Sequence, residues 1–143
     1  MSRQSNQRRN LTAMSLLSTL GRIWCSPVSV PVYLFCKATG WLHVKGEVAN
    51  HWIAPDWASF FFKAFNISAI TFGTNILYNP DINAFSIPLW LKRHELEHVR
   101  QYLVLGPLFI PAYLIASIYA GIVHFDGYRM NVFEVKARAK ELR

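Results

Sequence analysis

The chain is poor in cysteine and in charged residues. Its two cysteines, Cys25 and Cys36, lack a Cys-x-x-Cys spacing, so they form neither a disulfide framework nor a zinc knuckle, and they favour a reducing compartment. Only 16% of the residues are charged and 52% are hydrophobic, which excludes disorder for most of the chain. The mean hydropathy of +0.18 indicates contact with a membrane surface.

Acidic residues are scarcer than basic ones, 8 against 15, which gives a net charge of +7. Such a charge favours binding to an anionic partner, such as lipid headgroups, nucleic acid or an acidic substrate. The basic residues form no dense stripe with interleaved aromatics, so we expect no nucleic-acid partner. Residues 1–10 are polar and basic and are predicted to be a disordered arm, whereas residues 11–143 are predicted to form one domain with an apolar N-terminal segment. That segment lacks a cleavage site and is followed by Arg22, so no cleaved signal peptide is expected.

The strongest chemical signal is a His-Glu-x-x-His motif formed by His94, Glu95 and His98. In a helix, the two histidines lie one turn apart on one face and can bind the same zinc ion at about 2.0–2.1 Å. Glu95 lies about 100° around the helix, where its carboxylate can reach a water on the metal without being a ligand. Zinc lowers the pKa of such a water toward neutrality, and Glu95 can accept the proton as general base. A buried histidine pair or a charged helix face is the alternative explanation of the motif.

The segment before the motif contains the β-strand signal. Residues 70–78 are β-branched and aromatic, which predicts one strand with a bend at Gly73. A strand in this position would pair with an extended peptide substrate by main-chain hydrogen bonds. Residues 41–56 are expected to form loops with short extended pieces, in which His43 and His51 have no partner at metal-ligand spacing and are expected to be ordinary surface or core histidines.

Three helices are predicted from the pattern of the remaining residues. The first covers residues 57–65. The second carries the motif, begins with Ser86 as its N-cap and ends before Gly106-Pro107. The third begins at Asn131, which precedes Glu134 by three residues in a capping-box pattern.

Residues 103–123 carry no charge and are long enough to span a bilayer as a helix. A straight span would hold the histidines and Glu134 about 30 Å apart, on opposite sides of the membrane. A ligand role for Glu134 therefore requires the stretch to turn back as a buried, re-entrant or monotopic hairpin. We favour the hairpin because Gly106-Pro107, Pro111 and Gly121 supply breaks in the stretch.

A zinc site needs more protein ligands than two histidines. Glu134, presented by a following helix, would complete a His-His-Glu site with water in the fourth position. His124 and Asp126, at the end of the apolar stretch, are rival ligands. Tyr102 and Tyr128 are candidates to stabilise an oxyanion.

Residues 93–101 and the sequence after them resemble small bacterial and phage proteins of the gluzincin kind. Such proteins carry His-Glu-Leu-x-His-Val-x-Gln, a glycine, an aromatic stretch and Gly-Tyr-x-x-Asn-Pro-Phe-Glu-x-x-Ala. The matching residues here lie at Arg93-His94-Glu95-Leu96-Glu97-His98-Val99-Arg100-Gln101, Gly106, Gly127-Tyr128, Asn131, Phe133-Glu134 and Ala137. Val132 replaces the usual proline, and Arg138 stands where larger gluzincins often have an acidic residue that orients a histidine, so backbone carbonyls or water are expected to orient the histidines here.

The resemblance implies that His94, His98 and Glu134 bind Zn²⁺ and that Glu95 is the catalytic base. It implies a mainly helical, zincin-like α+β mini-domain, with an edge strand at Thr71-Phe72-Gly73 beside the motif helix and an apolar helical hairpin after it. The expected function is zinc-dependent hydrolysis of a peptide or protein, in a cytoplasmic or membrane-associated protein of bacterial or phage origin. The alternative is a non-enzymatic, membrane-associated or interaction protein with a structural zinc.

Overall fold

The computed structural model describes residues 3–142, with side chains from residue 18 onward. This part of the chain contains helices and a small sheet, which confirms the expected α+β class. The helices are α1 (Arg3–Ala38), α2 (Ser59–Ala64), α3 (Leu89–Leu105), α4 (Phe109–His124) and α5 (Val132–Glu141). The strands are β1 (Leu42–Lys45), β2 (Asn50–Ile53), β3 (Ala69–Phe72) and β4 (Asn75–Tyr78).

Helix α1 continues through Pro27 and Pro31. A proline cannot donate the hydrogen bond to the carbonyl four residues earlier. The Ser26 hydroxyl donates instead to the Ile23 carbonyl at 2.7 Å, which is the carbonyl that Pro27 leaves free. The backbone is helical from Arg3, whereas the sequence predicted a disordered arm over residues 1–10; disorder of that segment in solution stays a prediction.

The four strands form a mixed sheet in the order β1-β2-β4-β3. Strands β1 and β2 are antiparallel, β2 and β4 are parallel, and β3 and β4 are antiparallel. The prediction of one strand over residues 70–78 was wrong, because the chain reverses at Gly73 and makes a hairpin. Gly73 has a φ of +63°, which glycine tolerates at the first position of a two-residue hairpin turn. This reversal makes β3 an edge strand of the sheet.

Alternate side chains of the strands pack on the two faces of the sheet. Trp52 and Leu77 lie on one face, in a cluster with Cys36 of α1 and Phe62 of α2. The opposite face packs against α3 through a second cluster, whose buried residues are Ala49, Ile53, Ile76, Tyr78, Leu91 and Val99. The sheet is therefore covered by helices on both faces, and both cysteines are buried and free.

Helix α3 starts at Leu89, with Pro88 at its N-cap position. The Ser86 side chain does not cap the helix; the Ser86 amide donates instead to the Asn83 carbonyl in the preceding turn. The helix ends at Gly106, whose φ of +57° lies in the left-handed region, as the Gly-Pro pair predicted. Gly106 packs against the indole of Trp24 in α1, where a Cβ atom would collide with the ring.

Among the described residues, Leu89–His124 is the one helical stretch that is long and apolar enough to cross a membrane by length and composition. It is not a straight helix, because the turn Gly106–Leu108 separates α3 from α4. Pro111 and Gly121 lie inside α4 and do not break it, contrary to expectation. The chain reverses at Phe125, whose φ is +58°, and residues 125–131 return alongside α4. The expected fold-back is confirmed: the turn Gly106–Leu108 brings Phe109 and Tyr113 of α4 beside His98, and the irregular segment after α4 returns the chain to α3.

Candidate metal centre

Helix α3 brings three functional side chains of the motif to its buried face. His94, Glu95 and His98 are all buried, and the two imidazole rings lie 4.9 Å apart between centroids. Their Nε2 atoms face each other at 3.2 Å. This is the arrangement that residues four apart adopt on one helix face.

Helix α5 supplies Glu134 because its start is fixed by Asn131. The Asn131 side chain accepts a hydrogen bond from the Phe133 amide at 2.9 Å and caps the helix. Its amide group donates to the Tyr113 carbonyl and to the Ser117 hydroxyl, both in α4. These bonds hold the first turn of α5 against α4, and Glu134 in that turn faces the two histidines.

The three side chains converge on a common point. Oε1 of Glu134 lies 3.3 Å from Nε2 of His98, and Oε2 lies 3.3 Å from Nε2 of His94. Ligand atoms placed tetrahedrally at about 2.0–2.1 Å from zinc are separated by about 3.3–3.4 Å from each other. Oε2 is buried and accepts no hydrogen bond from the part of the chain that the structure describes. The donor set and its spacing therefore fit a zinc ion.

The outer nitrogens of both imidazoles have acceptors. Nδ1 of His94 lies 2.8 Å from Oε1 of Glu141, and Nδ1 of His98 lies 2.9 Å from Oε1 of Gln101. The Gln101 amide in turn donates to the Phe133 carbonyl at 3.2 Å, which assigns Oε1 as the acceptor. When the histidines are neutral, these acceptors hold the proton on Nδ1 and leave the Nε2 lone pair free, which is the form that binds a metal.

These contacts correct one expectation. The sequence suggested that backbone carbonyls or water orient the histidines, because Arg138 occupies the usual acidic position. The carboxylate of Glu141, two turns after Glu134 on α5, and the amide oxygen of Gln101 take that role instead. Arg138 lies 4.0 Å from Glu134 and donates to the backbone carbonyl of Arg129.

The charges of the site depend on one another. Burial would raise the pKa of Glu134, but its short contacts with His94 and His98 outweigh that effect and hold the pKa far below its usual range. Burial would lower the pKa of both histidines, but the carboxylates of Glu134 and Glu95 outweigh it and raise the pKa. The cluster therefore attracts positive charge, whether a proton or a cation.

Glu95 lies beside the cluster and is only 5% exposed. Its Oε2 accepts a hydrogen bond from Oγ1 of Thr71 in the edge strand β3, at 2.7 Å. Burial raises its pKa, and the positive charge of the histidines and the Thr71 bond offset only part of the shift. A carboxylate with a raised pKa is suited to accept and return a proton near neutral pH.

Three tyrosines lie around the cluster, one of which the sequence did not indicate. The Tyr113 hydroxyl donates to Oε1 of Glu134 at 2.7 Å. It was missed because it lies in the apolar stretch, where only the fold-back of α5 gives it a polar partner. Tyr102 and Tyr128, the expected oxyanion candidates, both line the cavity beside the cluster. Burial raises the pKa of Tyr128 to about 12, so its hydroxyl keeps its proton.

The other candidate ligands lie elsewhere. His124 is exposed at the end of α4. Asp126 accepts hydrogen bonds from the amides of Tyr128 and Arg129, so it closes a turn. Neither belongs to the group whose ligand atoms converge. His51 is buried against the Tyr78 hydroxyl at 3.0 Å.

A cavity of about 320 Å³ opens beside the three converging side chains. Apart from the polar residues of the cluster, most of its wall is apolar: Ile67, Ala69, Ile70, Phe72, Phe109, Ile110 and Leu114. Strand β3 forms one side and α4 the other. A ligand in this cavity would have access to the cluster and to Glu95.

Comparisons with known proteins give no relative: no family model, no curated protein and no solved structure matches the chain.

Proposed function

We propose that the protein is a zinc-dependent hydrolase of peptide bonds with a zincin-like site. The observation that carries the proposal is the convergence of His94, His98 and Glu134, at 3.2–3.3 Å between ligand atoms, on the wall of an open cavity. Structural zinc sites are closed by four protein ligands, whereas catalytic sites have three and leave one position for water or substrate. Three protein ligands next to a cavity favour the catalytic kind.

The residues around the cluster divide the chemistry between them. His94, His98 and Glu134 would hold the metal, which supplies Lewis acidity when bound and so activates water and polarises a carbonyl group. Glu95 would accept the proton of the attacking water and return it to the leaving amine, since its carboxylate is buried beside the cluster and has a raised pKa. Thr71 orients that carboxylate through its hydrogen bond.

The position of β3 supports a peptide as the substrate. The strand pairs with β4 along one edge and lines the cavity with residues 69–72. An extended peptide could add to its other edge by main-chain hydrogen bonds and pass the metal centre. The Tyr113 hydroxyl already donates to Glu134, so Tyr128, which lines the cavity and keeps its proton, is the phenol that would donate to an oxyanion.

The test uses the full chain with one equivalent of zinc, the variant Glu95→Gln and the control Glu97→Gln. Glu97 lies on the same helix but pairs with Arg100. We expect all three proteins to bind zinc equally. The parent and Glu97→Gln should cleave labelled casein or a quenched peptide library, and Glu95→Gln should be slower by about 100-fold or more.

Each failure has a distinct meaning. Equal hydrolysis by Glu95→Gln and the parent would show that Glu95 is not the base. Absence of zinc binding by the parent would remove the metal centre. Zinc bound by the parent without hydrolysis of any peptide probe would favour the alternative, an interaction protein with a structural zinc.

A further inference from the structure

Helix α4 has a wide apolar face that packs against nothing in the described part of the chain. Its outward side chains are 47–73% exposed: Leu114, Ile115, Ile118, Tyr119, Ile122 and Val123. At 100° per residue these six positions cover an arc of about 180°, half of the helix circumference. The other half packs on the protein, with Phe109 and Ala120 buried.

The exposed arc continues past the start of α4. Leu108 and Val104 are exposed at the turn between α3 and α4. Leu20 and Trp24 of α1 lie beside that turn, in a shallow groove that also includes Val104. The apolar surface is therefore continuous from the tip of α4 to α1.

The charged side chains near this surface lie at its two ends, at one of which Glu97 pairs with Arg100. Residues 101–123 contain no charged side chain. Arg100 is exposed at one end of the surface and Arg129 at the other. The carboxylate of Asp126 accepts two backbone hydrogen bonds at the tip. The whole chain carries a net charge of +7, and this long-range positive charge favours an anionic surface over a neutral one.

A lipid surface accounts for this combination better than a second protein. A helix partner needs a narrow apolar seam flanked by polar positions, whereas half-immersion in lipid needs an arc of about 180°. The cavity also borders this surface, because Leu114 both lines the cavity and belongs to the arc.

The structure also distinguishes a helix that lies in the interface from one that spans. Helix α4 has 16 residues, about 24 Å at 1.5 Å per residue, whereas the hydrocarbon core is about 30 Å thick. The chain then returns alongside α4 through the irregular residues 125–131, so a spanning α4 would carry this segment into the hydrocarbon. Insertion of the tip would also bury Asp126 and Arg129.

We propose that the exposed arc of α4 docks the protein on an anionic lipid bilayer. The helix lies parallel to the membrane plane, with Arg100 and Arg129 at the headgroups. The mouth of the cavity then faces the bilayer surface. If the proposed hydrolase function holds, its substrates are apolar peptide segments at that surface.

The test is flotation of the full chain with vesicles of phosphatidylcholine and phosphatidylglycerol. The test variant is the double substitution Ile118→Glu, Ile122→Glu, and the control is Leu42→Glu on β1, the edge strand farthest from β3 in the sheet. We expect the parent and Leu42→Glu to float with the vesicles. The partition of the double variant should fall at least about tenfold, since two apolar side chains that would be buried in lipid become charged. The double substitution Ile118→Ser, Ile122→Ser introduces no charge, so it should reduce the partition into vesicles by a smaller factor.

The proposal also predicts weaker flotation with pure phosphatidylcholine and at high salt. It is overturned if the parent stays in the aqueous fraction, or if the double variant is folded by circular dichroism and floats like the parent. It is also overturned if the parent forms a dimer without vesicles and the double variant is a monomer, which would assign the arc to a contact between copies. Flotation requires neither zinc nor hydrolysis. A failure to float would therefore not contradict the proposed hydrolase function, and a failure to hydrolyse peptides would not contradict membrane docking.

Discussion

At the scale of single residues, each Nε2 atom that faces Glu134 depends on an acceptor at the opposite side of its ring. Glu141 binds Nδ1 of His94, and Gln101 binds Nδ1 of His98 and also the Phe133 carbonyl. Gln101 therefore ties the second histidine to the helix that carries Glu134. Such partners fix the tautomer and the orientation of the ring.

Replacing Glu141 should weaken zinc binding without disturbing the fold. Glu141→Ala removes the acceptor of His94, so we expect zinc affinity to fall by about 10- to 100-fold in competition with a chromophoric chelator. Glu141→Gln keeps an acceptor oxygen and should restore part of the affinity. Glu47→Gln, on the exposed β1–β2 loop, is the control. Equal affinity of Glu141→Ala and the parent would contradict the role assigned to Glu141.

At the scale of elements, two turns decide where the site residues meet. Gly106 follows α3 with a positive φ and packs against Trp24 of α1 where the chain turns toward α4. Phe125 reverses the chain after α4. The first turn determines where Tyr113 lies, and the second allows α5 to reach α3.

A side chain at Gly106 should therefore destabilise the fold. In Gly106→Ala, the positive φ costs about 1–2 kcal/mol, and the collision with Trp24 adds about 1–3 kcal/mol. The control is Gly40→Ala, which also has a positive φ, +81°, but no atom within 4 Å of the added Cβ. Urea denaturation should show a larger loss for Gly106→Ala. An equal loss for both would show that the contact with Trp24 is unimportant.

The sheet should make stability depend on pH through His51. Burial against Tyr78 lowers the pKa of His51 from 6.5 to about 4. The folded state binds this proton more weakly than the unfolded state. The free energy of unfolding is therefore highest above pH 6.5, and it falls as the pH decreases toward 4 because the unfolded state gains the proton first. We expect the free energy of unfolding to fall by at most about 3 kcal/mol between pH 6.5 and 4 through this group.

Urea denaturation between pH 7.5 and 4.5 checks this expectation. The variant His51→Gln cannot be protonated there, so its unfolding free energy should fall less steeply than that of the parent. Identical pH dependence in the two proteins would assign the effect to other groups.

At the scale of the whole molecule, the candidate metal centre joins two helices that are distant in the sequence. Helix α3 provides His94 and His98, and α5 provides Glu134, so a bound cation would link the motif helix to the last helix. A ligand that binds only the folded state raises stability by about 2.7 kcal/mol at 100 times its dissociation constant.

Zinc should therefore raise the melting temperature of the parent, and a chelator should reverse the rise. His98→Ala should abolish the shift, and His43→Ala should keep it, since His43 is exposed on β1 and packs against Trp52. Differential scanning fluorimetry with and without zinc measures the melting temperature of the parent and of each variant. If zinc raised the melting temperature of His98→Ala as much as that of the parent, the zinc would bind at a site that does not include His98.

The sequence by itself determined the features that depend on local geometry. Helical periodicity places His94 and His98 on one face, the Gly-Pro pair ends the motif helix, and Asn131 caps the last one. Each of these follows from residues within about one turn of one another, where backbone geometry leaves few alternatives.

Only the tertiary structure decided which distant side chains meet. The sequence named Glu134 as the third ligand, with His124 and Asp126 as rivals that no local spacing supports. The hydrogen bonds of Asn131 to α4 placed Glu134 at the histidines and left the other two outside. The roles of Glu141 and Tyr113 likewise depend on how α5 packs against α3 and α4. Such contacts arise from the packing of whole elements, which no spacing within one segment encodes.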